Sequence, residues 1–117
     1  MQPAYRYRAE LVRVIDGDTI VVDLDLGLGV WQRHEHIRLL DLDTPEMRTV
    51  EGRKCRELLV GYLELCGSLV IETVKDRGGK YGRLLGRVHG LIDNEWHEIN
   101  AWMRERLVSK VPFGAGE

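Results

Sequence analysis

Alternating apolar and polar residues predict three strands in the first third of the chain. The segment Tyr5–Ile15 alternates, but its apolar set changes phase between Leu11 and Val12, which predicts a bulge or a sharp bend. After an Asp-Gly-Asp turn, Thr19–Asp25 alternates again and predicts a second strand. A connection containing two glycines then leads to a third strand over about Val30–Leu40. The pattern therefore indicates three consecutive antiparallel strands.

A helical period replaces the alternation in the middle of the chain. The segment Asp41–Val50 contains proline and has little periodicity, so we interpret it as a loop. From about Glu51 to Cys66 the apolar residues recur at the spacing of one helix face, and Gly67 is well placed to end this helix. The residues of that face are Cys55, Leu58, Leu59, Tyr62, Leu63 and Cys66. The sequence therefore predicts one amphipathic helix after the third strand.

Two further strands and a short helix complete the pattern. Strands are predicted over Ser68–Val74 and Arg83–Leu91, and the pair Asp93-Asn94 marks a turn. A short helix is predicted over Glu98–Leu107, whereas the tail Pro112–Glu117 has no pattern and is expected to fray. This order is that of an OB-type barrel. We therefore expect a mainly β fold, a five-stranded OB-fold barrel with a helix between strands 3 and 4 and a short C-terminal helix.

The size and charge of the chain narrow the possible functions. A chain of 117 residues fits one domain, which we place over residues 1–117 with an ordered core from about 5 to 111. The formal net charge of −2 argues against a broad basic surface for long nucleic acids. Only four of the 17 basic residues are lysines, and the other 13 are arginines. This excess suits local phosphate binding, but a GC-rich genome would produce it as well.

The sequence indicates neither a membrane protein nor a disulfide framework. No apolar run approaches the roughly 20 residues that span a bilayer, and the first residues carry no signal peptide, so we favour an intracellular location. Cys55 and Cys66 lie on one predicted helix, which separates their Cα atoms by roughly 16 Å. That separation exceeds the limit of about 7 Å for a disulfide, so we expect two free thiols.

Three short segments concentrate polar residues that can carry chemistry. They are Asp16–Thr19, Arg38–Glu46 and Lys80–Arg83. Taken alone, the first is a common hairpin turn, the second a helix-capping turn and the third a solvated loop. Together, and in this order, they make nearly the whole chain resemble the staphylococcal nuclease (thermonuclease) family. Asn100 and Ala101 are similar to the start of a later helix in that family.

The first two segments supply oxygen ligands for a metal ion. The resemblance implies that Asp18, Asp43 and the backbone carbonyl of Thr44 bind Ca²⁺. The residue types fit this role, because two carboxylates on separate loops leave room for water and a phosphate oxygen in the flexible coordination of Ca²⁺. Asp41 stands where relatives carry a small or apolar residue. We interpret Asp41 as a structural residue at the strand end and not as a third carboxylate ligand.

The remaining motif residues match the parts of a phosphodiester hydrolase. Glu46 is placed to orient or deprotonate the attacking water. Arg38 and Arg83 suit a clamp on one phosphate that stabilises charge in the transition state. By resemblance, Lys80 and Tyr81 bind the neighbouring phosphate of the substrate.

These roles lead to one functional expectation and one alternative. The resemblance implies a Ca²⁺-dependent endonuclease that hydrolyses phosphodiester bonds of DNA and RNA and leaves 3′-phosphorylated products. We expect it to act as a monomer. The alternative is a non-catalytic OB module that binds single-stranded nucleic acid or a protein partner. A degenerate module should lack part of the catalytic set, yet the chain retains Asp18, Arg38, Asp43, Glu46 and Arg83. For stacking on a base near the C-terminus, only Phe113 is available.

Overall fold

The structure is a computed structural model, and it describes residues 5–74 and 83–109. Six strands and two helices lie within these two stretches. In chain order they are β1 (Tyr5–Asp16), β2 (Thr19–Gly27), β3 (Val30–Leu39), α1 (Val50–Leu65), β4 (Leu69–Val74), β5 (Arg83–Ile92), β6 (Glu95–Glu98) and α2 (Ile99–Ser109). No helix of the described residues has the length and apolar character needed to cross a membrane.

The strands form one sheet that closes into a barrel. Their order is β3-β2-β1-β4-β5-β6, and β3 also pairs in parallel with β5, with Leu39 opposite Gly86. This parallel pairing joins the two sides of the sheet, so β1 to β5 form a closed five-stranded barrel and β6 lies outside the closure. The fold prediction is confirmed, since α1 connects β3 to β4 and α2 follows the last strand.

β1 is bent because it serves two neighbours. Its first half pairs with β4, with Ala9 opposite Leu69, and the rest of the strand pairs with β2. The register of the β1–β2 pairing shifts between Leu11 and Arg13, leaving Val12 as the extra residue. This is the position at which the apolar pattern changes phase, so the predicted bulge is confirmed.

Buried aliphatic side chains from every barrel strand fill the interior. They include Val14, Ile20, Val22, Ile37, Leu39, Ile71 and Val88. Leu59 of α1 and Met103 of α2 are fully buried against this set. The two helices also touch each other, with the rings of Tyr62 and Trp102 at 4.0 Å between centroids. The predicted apolar face of α1 therefore packs into the core.

Both ends of α1 lie within one residue of the prediction, but Gly67 does not end the helix in the predicted way. The helix includes Val50, because the Thr49 hydroxyl accepts a hydrogen bond from the backbone N–H of Gly52 and caps the first turn. At the other end, Cys66 leaves the helix in an extended conformation. Gly67 does not provide a left-handed cap; its N–H donates to the carbonyl of Leu91 at 2.8 Å. Pairing with β5, and not glycine flexibility, therefore directs the chain away from the helix.

β6 was absent from the predicted elements. Asp93 and Asn94 form the predicted turn, both with positive φ angles of 52° and 67°. The chain then returns along β5 with Trp96 opposite Leu91. Four residues are too few to establish a period, so this strand arises from its hydrogen bonds with β5.

Both cysteines are free thiols. Cys55 is buried in α1 and Cys66 is half-buried at its end. Burial raises the pKa of each thiol, and the charges of Asp18 and Glu51 add to the effect at Cys55. These thiols are therefore protonated at neutral pH and behave as small core side chains.

Candidate active site

Asp18 lies in the tight turn between β1 and β2. Its backbone N–H donates to the Asp16 carboxylate at 3.1 Å, and the Thr19 hydroxyl donates to Asp18 Oδ1 at 3.0 Å. The backbone N–H of Leu39 donates to the carbonyl of Asp18 at 2.8 Å, which fastens the turn to the end of β3. Asp18 is only 7% exposed. The turn therefore holds a nearly buried carboxylate in a fixed place.

Gly17 allows α1 to pack closely under this turn. A Cβ atom at this position would lie 2.7 Å from Cys55 Cβ and 3.0 Å from the Thr44 methyl carbon. Side chains do not approach each other so closely. The glycine of the Asp-Gly-Asp sequence is therefore required by packing against α1 and the loop after β3.

Arg38 joins the turn to the loop that follows β3. It lies opposite Thr19 in the β2–β3 pairing, and its guanidinium points to the two acidic residues. Nη1 is 3.2 Å from Asp18 Oδ2, and Nη2 is 3.4 Å from Asp43 Oδ1. Nη1 also donates to the backbone carbonyls of Leu39 and Leu42. One guanidinium thus contacts both carboxylates that the motifs assign to the metal.

Thr44 fixes the loop on Asp18. Its backbone N–H and its hydroxyl each donate to Asp18 Oδ2 at 3.1 Å. Asp41, at the beginning of the same loop, is exposed and has a left-handed backbone with φ of 61°. Asp tolerates this conformation better than most residues, which accounts for Asp41 as a turn residue.

The surroundings of Asp18 favour its ionised form. Burial alone would raise the pKa of this carboxyl, but hydrogen bonds from Asp16 and the Thr44 N–H and the charge of Arg38 hold the pKa below its usual value. The pKa of Asp16 is raised, first by burial and then by its contact with the Asp18 carboxylate. The sequence identifies Asp16 only as a turn residue. Its position two residues before Asp18 was the feature that could have indicated its contact with the Asp18 carboxylate.

Asp43 and Glu46 are far more exposed than Asp18. The Asp43 side chain is 95% exposed and touches the site through Arg38. The Glu46 side chain is 68% exposed and pairs with Arg48, whose Nε lies 2.6 Å from Glu46 Oε1. By contrast, the Glu46 backbone is fixed, because its carbonyl accepts hydrogen bonds from the Thr49 N–H at 3.0 Å and hydroxyl at 2.6 Å. The structure therefore brings Asp18, Asp43, Thr44 and Arg38 together, while the Glu46 carboxylate is directed to Arg48.

The third motif lies largely beyond the described residues. Lys80 and Tyr81 are outside them. Arg83 is described by its backbone, which begins β5 and pairs with His36 of β3. This pair is two positions before the pair of Arg38 with Leu85. The main chain thus runs from Arg83 alongside the strand that carries Arg38.

Asn100 secures the strands behind the site. It is fully buried, and its side-chain oxygen accepts from the Val88 N–H at 2.9 Å. Its amide nitrogen donates to the carbonyls of Leu40 and Gly86, each at 3.0 Å. Asn100 therefore ties β5 to the residue from which the Asp43 loop departs.

The oxygen donors suit a hard cation, and the protein supplies few of them. Asp18, Asp43 and the Thr44 carbonyl offer oxygen atoms, which are the donors that Ca²⁺ prefers. Within residues 5–74 and 83–109, no three or more His, Cys, Asp or Glu residues form a group that could hold a metal ion. A cation at this place would therefore have two carboxylates, those of Asp18 and Asp43, as its charged ligands.

Two curated proteins resemble the chain over most of its length, although no protein-family model matches it. The first, Protein ParB of Escherichia coli, is 36% identical over 105 residues, which are 90% of this chain and 47% of that protein. The second, a micrococcal nuclease of Shigella flexneri, is 31% identical over 83 residues, which are 71% of this chain and 42% of that protein. The chain thus spans less than half the length of these curated relatives, and it is distantly similar to a nuclease.

Proposed function

We propose that the chain is a staphylococcal-nuclease-like domain that uses Ca²⁺ to hydrolyse phosphodiester bonds of DNA and RNA, leaving 3′-phosphorylated products. The observation that carries this proposal is the contact of Arg38 with both Asp18 and Asp43, at the place where Thr44 also binds Asp18. Residues from the first two of the three motif segments meet there. The similarity to a micrococcal nuclease supports the same conclusion.

In this proposal Asp18, Asp43 and the Thr44 carbonyl hold the metal ion. When bound, Ca²⁺ supplies positive charge that neutralises the phosphoryl oxygens. The protein contributes the fixed position of Asp18, since Thr19 and Thr44 hold its two oxygens with hydrogen bonds of 3.0 and 3.1 Å. A preorganised carboxylate requires little rearrangement when the cation binds.

Arg38 is the proposed phosphate-binding residue of the site. Its planar guanidinium presents paired N–H donors, which match two oxygens of a phosphate. The carbonyls of Leu39 and Leu42 restrict its position. Arg83 is proposed to approach the same phosphate from β5, and Lys80 and Tyr81 are proposed to bind the adjacent one.

Glu46 is the proposed general base. Its carboxylate accepts a proton from water as the water oxygen attacks phosphorus. The P–O5′ bond breaks, so that the phosphate stays on the 3′-oxygen, and the departing 5′-oxygen takes up a proton from solvent to become a hydroxyl. For this role the Glu46 carboxylate has to leave its ion pair with Arg48 and bind the attacking water instead. Both side chains are largely exposed, and such surface ion pairs are weak.

The alternative is an OB module that binds single-stranded nucleic acid or a protein partner without cleavage. One observation favours it, namely that the Glu46 carboxylate pairs with Arg48 and not with a group of the Asp18 cluster. A module of this kind would bind an oligonucleotide and leave it intact.

The test is cleavage of plasmid DNA and of a labelled RNA, each with Ca²⁺ and with excess chelator. Cleavage with Ca²⁺ alone, giving 3′ ends that a polymerase extends only after phosphatase treatment, is the expected result. Arg38→Lys should lower the rate about 10²–10³-fold, because the lysine keeps the charge but loses the planar fork. Arg33→Lys is the matched control on the same strand, since Arg33 pairs with Asp23 at 3.0 Å and lies over the Trp31 ring. Equal losses in the two variants would contradict the assignment of Arg38, and intact substrate in every sample would favour the binding module.

A further inference from the structure

One positive side chain stands between the two carboxylates of the candidate metal site. Arg38 Nη1 is 3.2 Å from Asp18 Oδ2, and Nη2 is 3.4 Å from Asp43 Oδ1. The two acidic residues belong to different segments, and the guanidinium is the group that joins them. The Arg38 side chain is only 24% exposed, so water screens these contacts incompletely.

A cation that both carboxylates hold would compete with Arg38 for their negative charge. Ca²⁺ contacts its oxygen ligands directly, at about 2.3–2.6 Å, and the guanidinium nitrogens already contact one oxygen of each carboxylate, Asp18 Oδ2 and Asp43 Oδ1. A divalent ion and a guanidinium held by the same two carboxylates repel each other strongly where screening is incomplete. Binding of the metal ion should therefore weaken the contacts of Arg38 with Asp18 and Asp43.

We propose that Arg38 is the internal counter-ion of the metal-free site and that Ca²⁺ displaces it from Asp18 and Asp43. The inference rests on the proposed function, because it concerns the same metal site. Displacement releases the guanidinium to a substrate phosphate at the moment the metal arrives. When Ca²⁺ replaces Arg38 on the two carboxylates, the same step binds the metal and frees the guanidinium for a phosphate.

The backbone around Arg38 limits how far the released side chain moves. Its guanidinium also donates to the carbonyls of Leu39 and Leu42, and these acceptors do not compete for a metal ion held by Asp18 and Asp43. Nη1 makes both of these contacts as well as the contact with Asp18, so the two carbonyls hold the guanidinium near the site when it gives up the carboxylates. A short movement is therefore sufficient to turn Arg38 from a counter-ion into a phosphate ligand.

The exchange has a consequence for binding of the metal alone. Without a phosphate to receive the guanidinium, Ca²⁺ has to break two ion-pair contacts and gains nothing from the released arginine. Its affinity for the free protein is lowered accordingly. By linkage, a ligand that binds the guanidinium raises the affinity for Ca²⁺.

The test measures Ca²⁺ binding without nucleic acid, by calorimetry and by thermal unfolding at increasing Ca²⁺ concentration. We expect Arg38→Gln to bind Ca²⁺ about tenfold more tightly than the wild type, the order expected for loss of a partly buried ion pair. Its melting temperature without metal should be lower, and Ca²⁺ should raise it more than in the wild type. Arg38→Lys, which reaches one carboxylate at a time, should lie between the two.

Arg48→Gln is the matched control. It also removes one positive charge from the loop region, but Arg48 pairs with Glu46 and not with Asp18 or Asp43. Its Ca²⁺ affinity should stay within about twofold of the wild type. An equal gain in Arg48→Gln and Arg38→Gln would overturn the inference in favour of a general field effect, and unchanged or weaker binding by Arg38→Gln would also overturn it. If neither the wild type nor any variant binds Ca²⁺, the metal site of the proposed function fails as well, which distinguishes that failure from the first two.

Discussion

Replacing Gly52 by alanine should disturb the loop that carries Glu46. A Cβ atom at position 52 would lie 2.5 Å from the carbonyl carbon of Glu46, closer still to its oxygen, and 2.8 Å from the carbonyl oxygen of Pro45. Ordinary contacts between carbon atoms are about 3.5–4.0 Å, so the loop or the first turn of α1 has to move by roughly 1 Å. All the opposing atoms are backbone, and no side chain can rotate away.

The expected loss of stability in Gly52→Ala is that of overpacking, which costs about 1–3 kcal/mol in close-packed sites. For a domain of this size such a loss corresponds to a fall in melting temperature of roughly 4–12 °C. The helix offers a matched control in Gly61, where a Cβ would meet no atom within 4 Å. Gly61→Ala should raise stability by about 0.5–1 kcal/mol, because alanine is the better helix former.

Thermal unfolding of the two variants measures the change in stability. Cleavage at a temperature where both variants are folded measures the change in activity. We expect Gly52→Ala to lose activity beyond its loss of stability, since the Glu46 backbone has moved, whereas Gly61→Ala keeps the wild-type rate. If Gly52→Ala were as stable as Gly61→Ala, the close approach of α1 to residues 45 and 46 would be refuted.

Three further predictions concern the metal, the base and the buried amide. Mg²⁺ should support cleavage less well than Ca²⁺ at equal concentration in a plasmid assay, because it demands stricter octahedral geometry; equal rates would contradict the expected preference for Ca²⁺. Glu46→Gln should lower kcat roughly 10²–10⁴-fold, with oligonucleotide affinity nearly unchanged, and an unaltered rate would assign the base to another group. Asn100→Ala should destabilise the fold by about 2–4 kcal/mol in denaturant unfolding, because the Val88 N–H and the Leu40 carbonyl lose a buried partner. A loss below about 1 kcal/mol would mean that water replaces the amide.

The barrel could be predicted because its strands carry their pattern locally. The phase change at Val12 identified the bulge, and the spacing of Cys55, Leu59 and Tyr62 identified the buried face of α1. β6 could not be predicted, because four residues are too few to show a period. The contact that ends α1 could not be predicted either, because it is a hydrogen bond to β5, which is distant in sequence. The backbone path at Gly67, for example, is set by its hydrogen bond to Leu91 and not by the conformational freedom of glycine.

Less of the candidate site than of the barrel could be predicted from the sequence. The motifs named Asp18, Arg38, Asp43 and Thr44, and the structure places these four residues in contact, while their roles remain predictions. Spacing along the chain carries no information on which charges pair. The contact of Arg38 with both carboxylates therefore needed the three-dimensional arrangement, as did the pair of Glu46 with Arg48.

The charges within the site account for binding of a polyanion under the proposed function, although the chain has a net charge of −2. The metal-free cluster contains the two carboxylates of Asp18 and Asp43 and the guanidinium of Arg38. It therefore carries one net negative charge, which repels a phosphodiester. A divalent cation changes the same cluster to one positive charge, and a single bound phosphodiester then neutralises it. Under the proposed function, attraction is therefore local and depends on the metal, without the broad basic surface that nonspecific binding requires. Because few phosphates are contacted in this way, affinity should fall only gently with added salt, and a steep dependence in Ca²⁺ would show that basic residues beyond this cluster carry the binding.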